Sequence, residues 1–129
     1  LATAGRPLHI LLVEDQPVLC ALFSEYLTKD CHTVEAANDG NAALEKYATD
    51  QFDVVITDQA MPQMNGLQLA GELKRRNPQQ RIVLLTGAGE SDVYQTSDID
   101  VFVQKPVSLA ALRQALVQAT SGPSENVAP

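Results

Sequence analysis

Five short runs rich in apolar residues occur along the chain, separated by longer stretches in which apolar residues recur at helical spacing. The runs lie at residues 8–13, 33–37, 53–57, 81–86 and 101–103. Each is too short for a buried helix, and runs that are apolar on both sides of the backbone are typical of strands in a parallel sheet. The pattern therefore predicts five β-strands.

Apolar residues at helical spacing predict amphipathic helices after the first, second, third and fifth strands. The first helix begins near Pro17, a residue suited to a first helical turn. Its expected inner face comprises Val18, Leu19, Leu22, Phe23, Tyr26 and Leu27. The inner faces of the other three lie within residues 43–48, 67–73 and 109–116. Residues 87–100 offer only Val93, Tyr94 and Ile99 as anchors, so the fourth helix along the chain is expected to be short or irregular.

Strands that alternate with helices indicate βαβ units with right-handed crossovers. We therefore expect an α/β fold with a doubly wound, five-stranded parallel sheet and helices on both faces. A length of 129 residues fits one domain. We assign it to residues 8–120, preceded by a linker at 1–7 and followed by a flexible tail at 121–129 that is rich in small and polar residues.

Charge and composition narrow the possible functions. A net charge of -7 and a sequence pI of about 4.6 argue against direct nucleic-acid binding. The basic cluster of Lys74, Arg75 and Arg76 is typical of a helix end favoured by the helix dipole. Cys20, expected in the core, and Cys31 have no metal-ligand spacing, and no run is long enough to span a membrane. We expect a cytoplasmic domain with reduced cysteines and no membrane contact of its own.

Polar residues follow four of the five predicted strands: Glu14 and Asp15 the first, Asp58 the third, Thr86 the fourth and Lys105 the fifth. In open parallel sheets, ligands bind at the carboxyl ends of the strands. Three carboxylates gathered there repel one another unless a cation intervenes, and an all-oxygen ligand set suits Mg²⁺. A metal, a carboxylate nucleophile, a hydroxyl and an ammonium are the groups that phosphoryl transfer requires. Asp58 is the candidate nucleophile.

Each of these residues also has an ordinary structural interpretation when taken alone. Acids such as Glu14 and Asp15 are favoured near helix amino termini, and Asp58 would cap a turn. Thr86 is a common strand residue, and an isolated Lys105 would be solvated. The arrangement of the five is therefore more specific than any of its members.

Four separate motifs resemble receiver domains of two-component response regulators, over nearly the whole chain from His9 to Thr120. LLVEDQP resembles the acidic pair of the family, and DVVITDQAMPQMNG its phosphoacceptor strand and turn. VLLTG resembles the threonine strand, and VFVQKP the lysine–proline signature. The resemblance implies a flavodoxin-like sheet with strand order 2-1-3-4-5.

The resemblance also implies a role for each matching residue. Asp58 would accept a phosphoryl group from a phosphohistidine of a histidine kinase or a histidine phosphotransfer domain. Glu14, Asp15, Asp58 and the backbone carbonyl of Ala60 would hold Mg²⁺, with Asp15 and Asp58 as direct ligands and Glu14 acting through water. Lys105 would bind the phosphoryl oxygens.

A conformational switch is implied as well. Thr86 would move to donate a hydrogen bond to the phosphoryl group, and Phe102 would rotate into the space it leaves. The face formed by the fourth helix, the fifth strand and the last helix would change. The segment between Thr86 and Lys105 is shorter than in most members of the family, so we expect a non-standard output face.

The turn after Asp58 is unusually specified for a simple strand-to-helix link. Pro62 fixes one φ angle and shapes the turn together with Met61, and we expect Gly66 to supply conformational freedom where the next helix begins. Ala60 and Ala88 lie where side chains tune dephosphorylation in the family, and neither can position an attacking water. We therefore expect at most slow autophosphatase activity.

Alternative functions remain open at this point. A degenerate receiver would serve only as a docking module. An aspartate-nucleophile phosphatase would place a second Asp two residues after the first, but Asp15 is followed by Gln16 and Pro17. The Gly87–Gly89 sequence GAG is a weak phosphate-loop signal without GxGxxG or GK[ST].

The context of the domain is a further expectation. The opening PLHILLVEDQPV, the closing PVSLAALRQAL and the trailing SENVAP resemble receivers carried on hybrid sensor histidine kinases. The chain also begins at Leu1 rather than Met. The expected context is therefore a hybrid sensor kinase, and the alternatives are a response-regulator fragment and a stand-alone receiver. Whether the parent protein is an enzyme depends on which of these holds. The sequence leaves open whether the parent protein is anchored in a membrane.

Overall fold

A parallel sheet forms the centre of the computed structural model, which describes residues 6–121 of the chain. The strands are β1 (His9–Val13), β2 (Thr33–Ala37), β3 (Val54–Asp58), β4 (Arg81–Thr86) and β5 (Val101–Gln104). The helices are α1 (Pro17–Lys29), α2 (Gly40–Thr49), α3 (Gly66–Arg76), a 3₁₀ helix (Ser91–Gln95) and α4 (Leu109–Thr120). Most of the predicted linker and tail lies at residues 1–5 and 122–129, outside the described residues.

The strand order is β2-β1-β3-β4-β5, and all four pairings are parallel. Prediction and structure therefore agree on the doubly wound α/β fold. The order reverses at β1, because the chain moves from β1 outward to β2 and then returns to β3 on the other side. β1 and β3 lie side by side at this switch point, where open parallel sheets bind their ligands.

Side chains that alternate along each strand divide the core between two faces of the sheet. Ile10 and Leu12 pack with Phe23 of α1 and Leu112 of α4. Leu11 and Val13 point the other way, into the layer formed by α2 and α3. All five residues of β3 are buried, as expected for the central strand of a covered sheet.

The prediction for the inner face of α1 was wrong at one position. Val18 is 80% exposed, whereas Phe23 and Leu27 are buried. At 3.6 residues per turn, Val18 projects about 140° away from Phe23 around the helix axis, so it points to solvent. Cys20, expected in the core, is only partly buried and packs at the margin of the α1 layer.

The segment between β4 and β5 contains one 3₁₀ helix, as the prediction of a short or irregular helix requires. Val93 and Ile99 are buried and pack on the α2 and α3 side of the sheet. Tyr94 does not anchor the segment in the core, since it is 49% exposed. One short turn cannot direct three apolar side chains inward together.

The basic residues at the end of α3 are paired within the fold. Lys74 Nζ lies 3.2 Å from Asp100 Oδ2, and Arg75 and Arg76 both contact Glu72. All three cations are therefore paired, although only Arg75 and Arg76 are well exposed, since the Lys74 side chain is 17% exposed. Across residues 6–121, every helix falls short of the length and apolarity that crossing a bilayer requires.

The starts of β1 and β2 are joined by a histidine that acts as a hydrogen-bond acceptor. The backbone N–H of Leu8 donates to His32 Nδ1 at 2.9 Å. Burial lowers the pKa of His32 below its ordinary 6.5, and the nearby Asp30 carboxylate opposes this only in part. A proton on Nδ1 would break the hydrogen bond, so the folded state favours the neutral ring.

We expect acid to destabilise the domain partly through His32. Below pH 6.5, His32 is protonated in the unfolded chain but still neutral in the folded domain, because its folded pKa is lower. The stabilisation from the neutral ring is therefore complete above pH 6.5 and is lost as pH falls from 6.5 toward the folded pKa. Asn at this position keeps an acceptor oxygen but cannot titrate. Between about pH 7.5 and about pH 5.5, His32→Asn should lose less free energy of unfolding than wild type, by on the order of 0.5 kcal/mol. Urea denaturation followed by circular dichroism measures both, and equal losses would contradict the assignment.

Candidate functional site

The polar residues singled out in the sequence meet at the carboxyl edge of the sheet. Asp58 is the last residue of β3 and Thr86 the last of β4, while Glu14 and Asp15 follow β1 directly. Lys105 follows β5, and its backbone N–H donates to the Thr86 carbonyl at 2.8 Å. The parallel register therefore brings together groups that lie up to 91 positions apart along the chain.

Three carboxylates form the centre of the site. One oxygen from each of Glu14, Asp15 and Asp58 lies within 4.8 Å of the others. Glu14 and Asp58 are each only 1% exposed. Among the described residues, no hydrogen-bond partner reaches Glu14 Oε1, Asp15 Oδ1 or either oxygen of Asp58. Buried oxygens left without donors are costly, and together they form a ligand set that fits a hard divalent cation.

The pKa values follow from this crowding. Burial, and then the Asp58 charge, raise the pKa of Glu14 from 4.5 to about 7. Burial also raises the pKa of Asp58, against the opposing effect of Lys105. The cluster therefore destabilises its own ionised form when no cation is bound.

Lys105 supplies the one ammonium at the centre of the described site. Its Nζ lies 2.6 Å from Asp58 Oδ1, the distance of a close ion pair. Burial by itself would lower the pKa of Lys105, but Asp58 and then Glu14 hold it above its ordinary value. A single ammonium thus remains charged and balances one of three carboxylates.

Thr86 faces an aromatic pair that sequence reasoning missed. Its Oγ1 lies 3.2 Å from the hydroxyl of Tyr94, and either group can be the donor. The Tyr94 ring packs against Phe102, with ring centroids 4.6 Å apart. The predicted switch residues Thr86 and Phe102 are therefore connected through Tyr94. Sequence reasoning had treated Tyr94 only as a possible helix anchor.

Glu90 is a second residue that sequence reasoning missed. Its Oε1 accepts a hydrogen bond from the Gly87 N–H at 2.6 Å, which folds the loop after β4 back on itself. The Glu90 charge contributes to the raised pKa values of both Asp58 and Lys105. The only signal in the sequence is an acid four positions after Thr86, which is too common to indicate a site.

The turn after Asp58 is held by Gln59. Its backbone carbonyl accepts from Gly66 N–H at 3.0 Å, and its side-chain oxygen accepts from Leu67 N–H at 2.9 Å. Asn65 and Gln68 complete a capping box at the start of α3. The spacing of Asn and Gln three residues apart was visible in the sequence and would have predicted this cap.

The reason given for Gly66 was wrong. Its φ angle lies outside the left-handed region, so conformational freedom is not what the position requires. A Cβ there would lie 2.5 Å from the Asp58 backbone oxygen and 2.6 Å from Leu84 Cδ1. Glycine is needed because α3 approaches the end of β3 too closely for any side chain. Gln63, in the same turn, carries a positive φ of 70°.

Comparison with known proteins identifies the family. Residues 10–117 match the response regulator receiver domain. The chain belongs to this family. The receiver domain of two-component signalling is thus the setting of the carboxylate cluster, and its five-stranded sheet is the fold expected for it.

Relatives include both response regulators and sensor kinases. The chain is 34% identical over 114 residues to the transcriptional regulatory protein GlrR of Escherichia coli, covering 86% of this chain and 26% of that protein. It is 34% identical over 109 residues to the autoinducer 1 sensor kinase/phosphatase LuxN of Vibrio harveyi, covering 83% of this chain and 13% of that protein. The matched region therefore covers 26% of GlrR and 13% of LuxN, a small part of each relative's length.

A solved structure is similar over nearly its whole length. The response regulator TrrA of Thermotoga maritima, in complex with Mg²⁺ and BeF, is 30% identical and superposes with a TM-score of 0.79. The match covers 86% of this chain and 97% of the TrrA chain. In TrrA, therefore, this fold holds a divalent cation.

We expect removal of one crowded carboxylate to stabilise the metal-free domain. Because the folded pKa of Glu14 is raised from 4.5 to about 7, wild type loses stability as pH rises through that range. At about pH 8 in EDTA, Glu14→Gln should be more stable by about 1 to 3 kcal/mol. Thermal unfolding measures the difference.

The matched control for this comparison is Glu45→Gln, which removes an exposed carboxylate of α2 and should leave stability nearly unchanged. Adding Mg²⁺ should shrink or reverse the advantage of Glu14→Gln. A variant that is less stable than wild type in EDTA would show that the Glu14 charge is not a cost to the fold.

Proposed function

We propose that this receiver domain takes part in a phosphorelay by accepting a phosphoryl group on Asp58, in the presence of Mg²⁺, from a phosphohistidine of a histidine kinase or phosphotransfer domain. The supporting observation is the Asp58 carboxylate itself. It is buried at the end of the central strand, lies 2.6 Å from Lys105 Nζ and faces two further carboxylates. This combination serves phosphoryl transfer better than it serves stability.

The residues present fit a magnesium ion. Glu14, Asp15 and Asp58 supply oxygens that need a cation, and the backbone carbonyl of Ala60, in the turn after β3, is the proposed fourth protein ligand. Bound Mg²⁺ supplies positive charge that offsets both the carboxylates and the phosphoryl oxygens. The Mg²⁺ complex of TrrA supports this assignment by similarity.

The transfer itself requires one bond to form and one to break. An oxygen of Asp58 attacks phosphorus, the phosphorus–nitrogen bond to the donor imidazole breaks, and the departing imidazole takes up a proton from solvent. β3 holds the Asp58 carboxyl group in position, so little conformational entropy is lost when it reacts. Lys105, already beside Asp58 Oδ1, binds a phosphoryl oxygen as negative charge builds up there.

Thr86 is proposed to link phosphorylation of Asp58 to a change at the surface of the domain. Its hydroxyl would exchange Tyr94 for a phosphoryl oxygen, because a charged acceptor forms the stronger hydrogen bond. Tyr94 and Phe102 pack on each other, so loss of the Thr86 contact would release both rings. The face formed by the 3₁₀ helix, β5 and α4 would then change, which is the change that the resemblance to receiver domains implies.

The wider setting follows from the relatives and is likewise proposed. A sensor kinase and a transcriptional regulator are both 34% identical to this chain, and the proposed parent is a hybrid kinase, with a response regulator as the alternative. The phosphoryl donor would be a histidine kinase or a histidine phosphotransfer domain in the cytoplasm. A docking module without phosphorylation would not require a buried Asp58 carboxyl group beside a lysine.

The first test is intact mass after incubation with acetyl phosphate. We expect wild type to gain one phosphoryl group with Mg²⁺ and none in EDTA. Asp58→Asn should gain none, whereas Glu45→Gln, which changes an exposed carboxylate of α2, should behave as wild type. No gain by folded wild type with Mg²⁺, or an equal gain by Asp58→Asn, would reject Asp58 as the phosphoacceptor.

The acyl phosphate should hydrolyse slowly. Ala60 and Ala88 are both exposed and carry only methyl groups, so neither can orient an attacking water. Ala60→Asn adds an amide that can, and should accelerate hydrolysis by roughly tenfold or more. Loss of phosphoryl mass over time in Mg²⁺ buffer gives both rates. The control is Ala48→Asn in α2, because Ala48 is exposed although the sequence predicted an inner face that extends to this position. A wild-type acyl phosphate that disappears within seconds would contradict this prediction.

A further inference from the structure

A second cluster of metal-ligand side chains lies away from the carboxyl edge of the sheet. It consists of His9, the first residue of β1, Glu35 in β2, and Asp50, which caps the carboxyl end of α2. His9 and Val13 mark opposite ends of β1, about 13 Å apart along the strand. The cluster is therefore separate from the acidic site that follows Val13.

The sheet register explains why these residues meet. Leu11 pairs with Glu35 across the parallel ladder, so the two side chains share one face of the sheet. His9 precedes Leu11 by two positions and lies on that same face. α2 covers this face, and Asp50 follows its last turn. The fold, rather than any local motif, brings the three together.

The distances are those of a ligand set. His9 Nε2 lies 2.8 Å from Glu35 Oε2 and 3.8 Å from Asp50 Oδ2. One ligand atom from each residue lies within 4.8 Å of the others. Zinc bonds of about 2.0 to 2.2 Å in a tetrahedron place neighbouring ligand atoms about 3.3 to 3.6 Å apart, between the two measured distances. Small side-chain adjustments would therefore complete the geometry.

Neighbouring groups already orient two of the ligands. Asp50 Oδ1 accepts from the Gln51 N–H at 2.9 Å, which leaves Oδ2 directed at His9. The His9 ring packs against Phe52 with centroids 4.6 Å apart, and its backbone N–H donates to Asp53 Oδ2 at 2.8 Å. Supporting contacts of this kind reduce the ordering that metal binding would require.

The charges also call for a cation. One carboxylate oxygen of Glu35 and one of Asp50 lie within 4.8 Å of each other, and two carboxylates this close repel unless a cation lies between them. His9 supplies a positive charge only when protonated, whereas a metal ion would bind its neutral ring and both carboxylates together.

We propose that His9, Glu35 and Asp50 form a second metal site in this receiver domain, for a divalent transition-metal ion of the zinc class. One imidazole nitrogen and two carboxylate oxygens suit such an ion better than Mg²⁺, which prefers oxygen ligands alone. The three side chains are 27%, 32% and 42% exposed, so a fourth position is open to water. The ion would join β1, the edge strand β2 and the end of α2, and so stabilise the folded state.

Zinc binding to the 129-residue chain tests the proposal. Isothermal titration with Zn²⁺ is carried out in excess Mg²⁺, on a Cys20→Ser, Cys31→Ser background that removes both thiols. We expect one bound zinc, a higher Tm in its presence, and affinity at least about tenfold lower in each of His9→Gln, Glu35→Gln and Asp50→Asn. Glu45→Gln, on the exposed face of α2, should bind as the parent does.

Histidine side-chain NMR separates coordination from a structural role. Zn²⁺ should change the ¹⁵N chemical shifts of the His9 ring and leave those of the His32 ring unchanged. If His9 served only as an ion-pair partner of Glu35, adding Zn²⁺ would not change its shifts. If His9→Gln fails to fold, the partly exposed Glu35→Gln and Asp50→Asn variants decide the question. Unchanged zinc affinity in those variants, no zinc bound by the parent, or zinc binding that is lost in Asp15→Asn would overturn the proposal. Zinc binding that persists in Asp58→Asn would show that it does not depend on the phosphoacceptor.

Discussion

Repulsion among three carboxylates at the carboxyl edge of the sheet is the constraint that the rest of this structure must offset. Glu14, Asp15 and Asp58 share a space in which oxygens lie within 4.8 Å of one another, and Lys105 balances one charge. Two of the three are nearly inaccessible to water. Packing elsewhere in the domain must offset this cost, as is common where a fold holds a functional site.

The sheet is suited to hold such a site because its central strand is packed on both faces. β3 is buried along its whole length between two layers of helices, so the Asp58 backbone is fixed on both sides. Gln59 and Gly66 then hold the following turn close against it. The Lys105 N–H to Thr86 carbonyl bond ties the loop after β5 to the end of β4. Rigid support of this kind keeps a nucleophile in position without further reorganisation.

The segment between β4 and β5 is the least regular connection that follows the site strands. Only a short 3₁₀ helix lies there, and Tyr94 leaves it to meet Thr86 on one side and Phe102 on the other. A hydroxyl contact and a ring contact are both weak enough to exchange for new partners. The chain thus places a small, adaptable group of side chains next to its most rigid carboxylate.

The sequence by itself determined the strands, most helix faces and the polar residues that would meet at the carboxyl edge of the sheet. Hydrophobic periodicity and strand-end motifs are local signals, and the parallel topology follows from their alternation. Only the tertiary structure decided that Val18 faces solvent, that Gly66 is required by close approach, that Tyr94 contacts Thr86 and that His9, Glu35 and Asp50 meet. These facts depend on the distances between segments far apart in the chain, which no local pattern specifies.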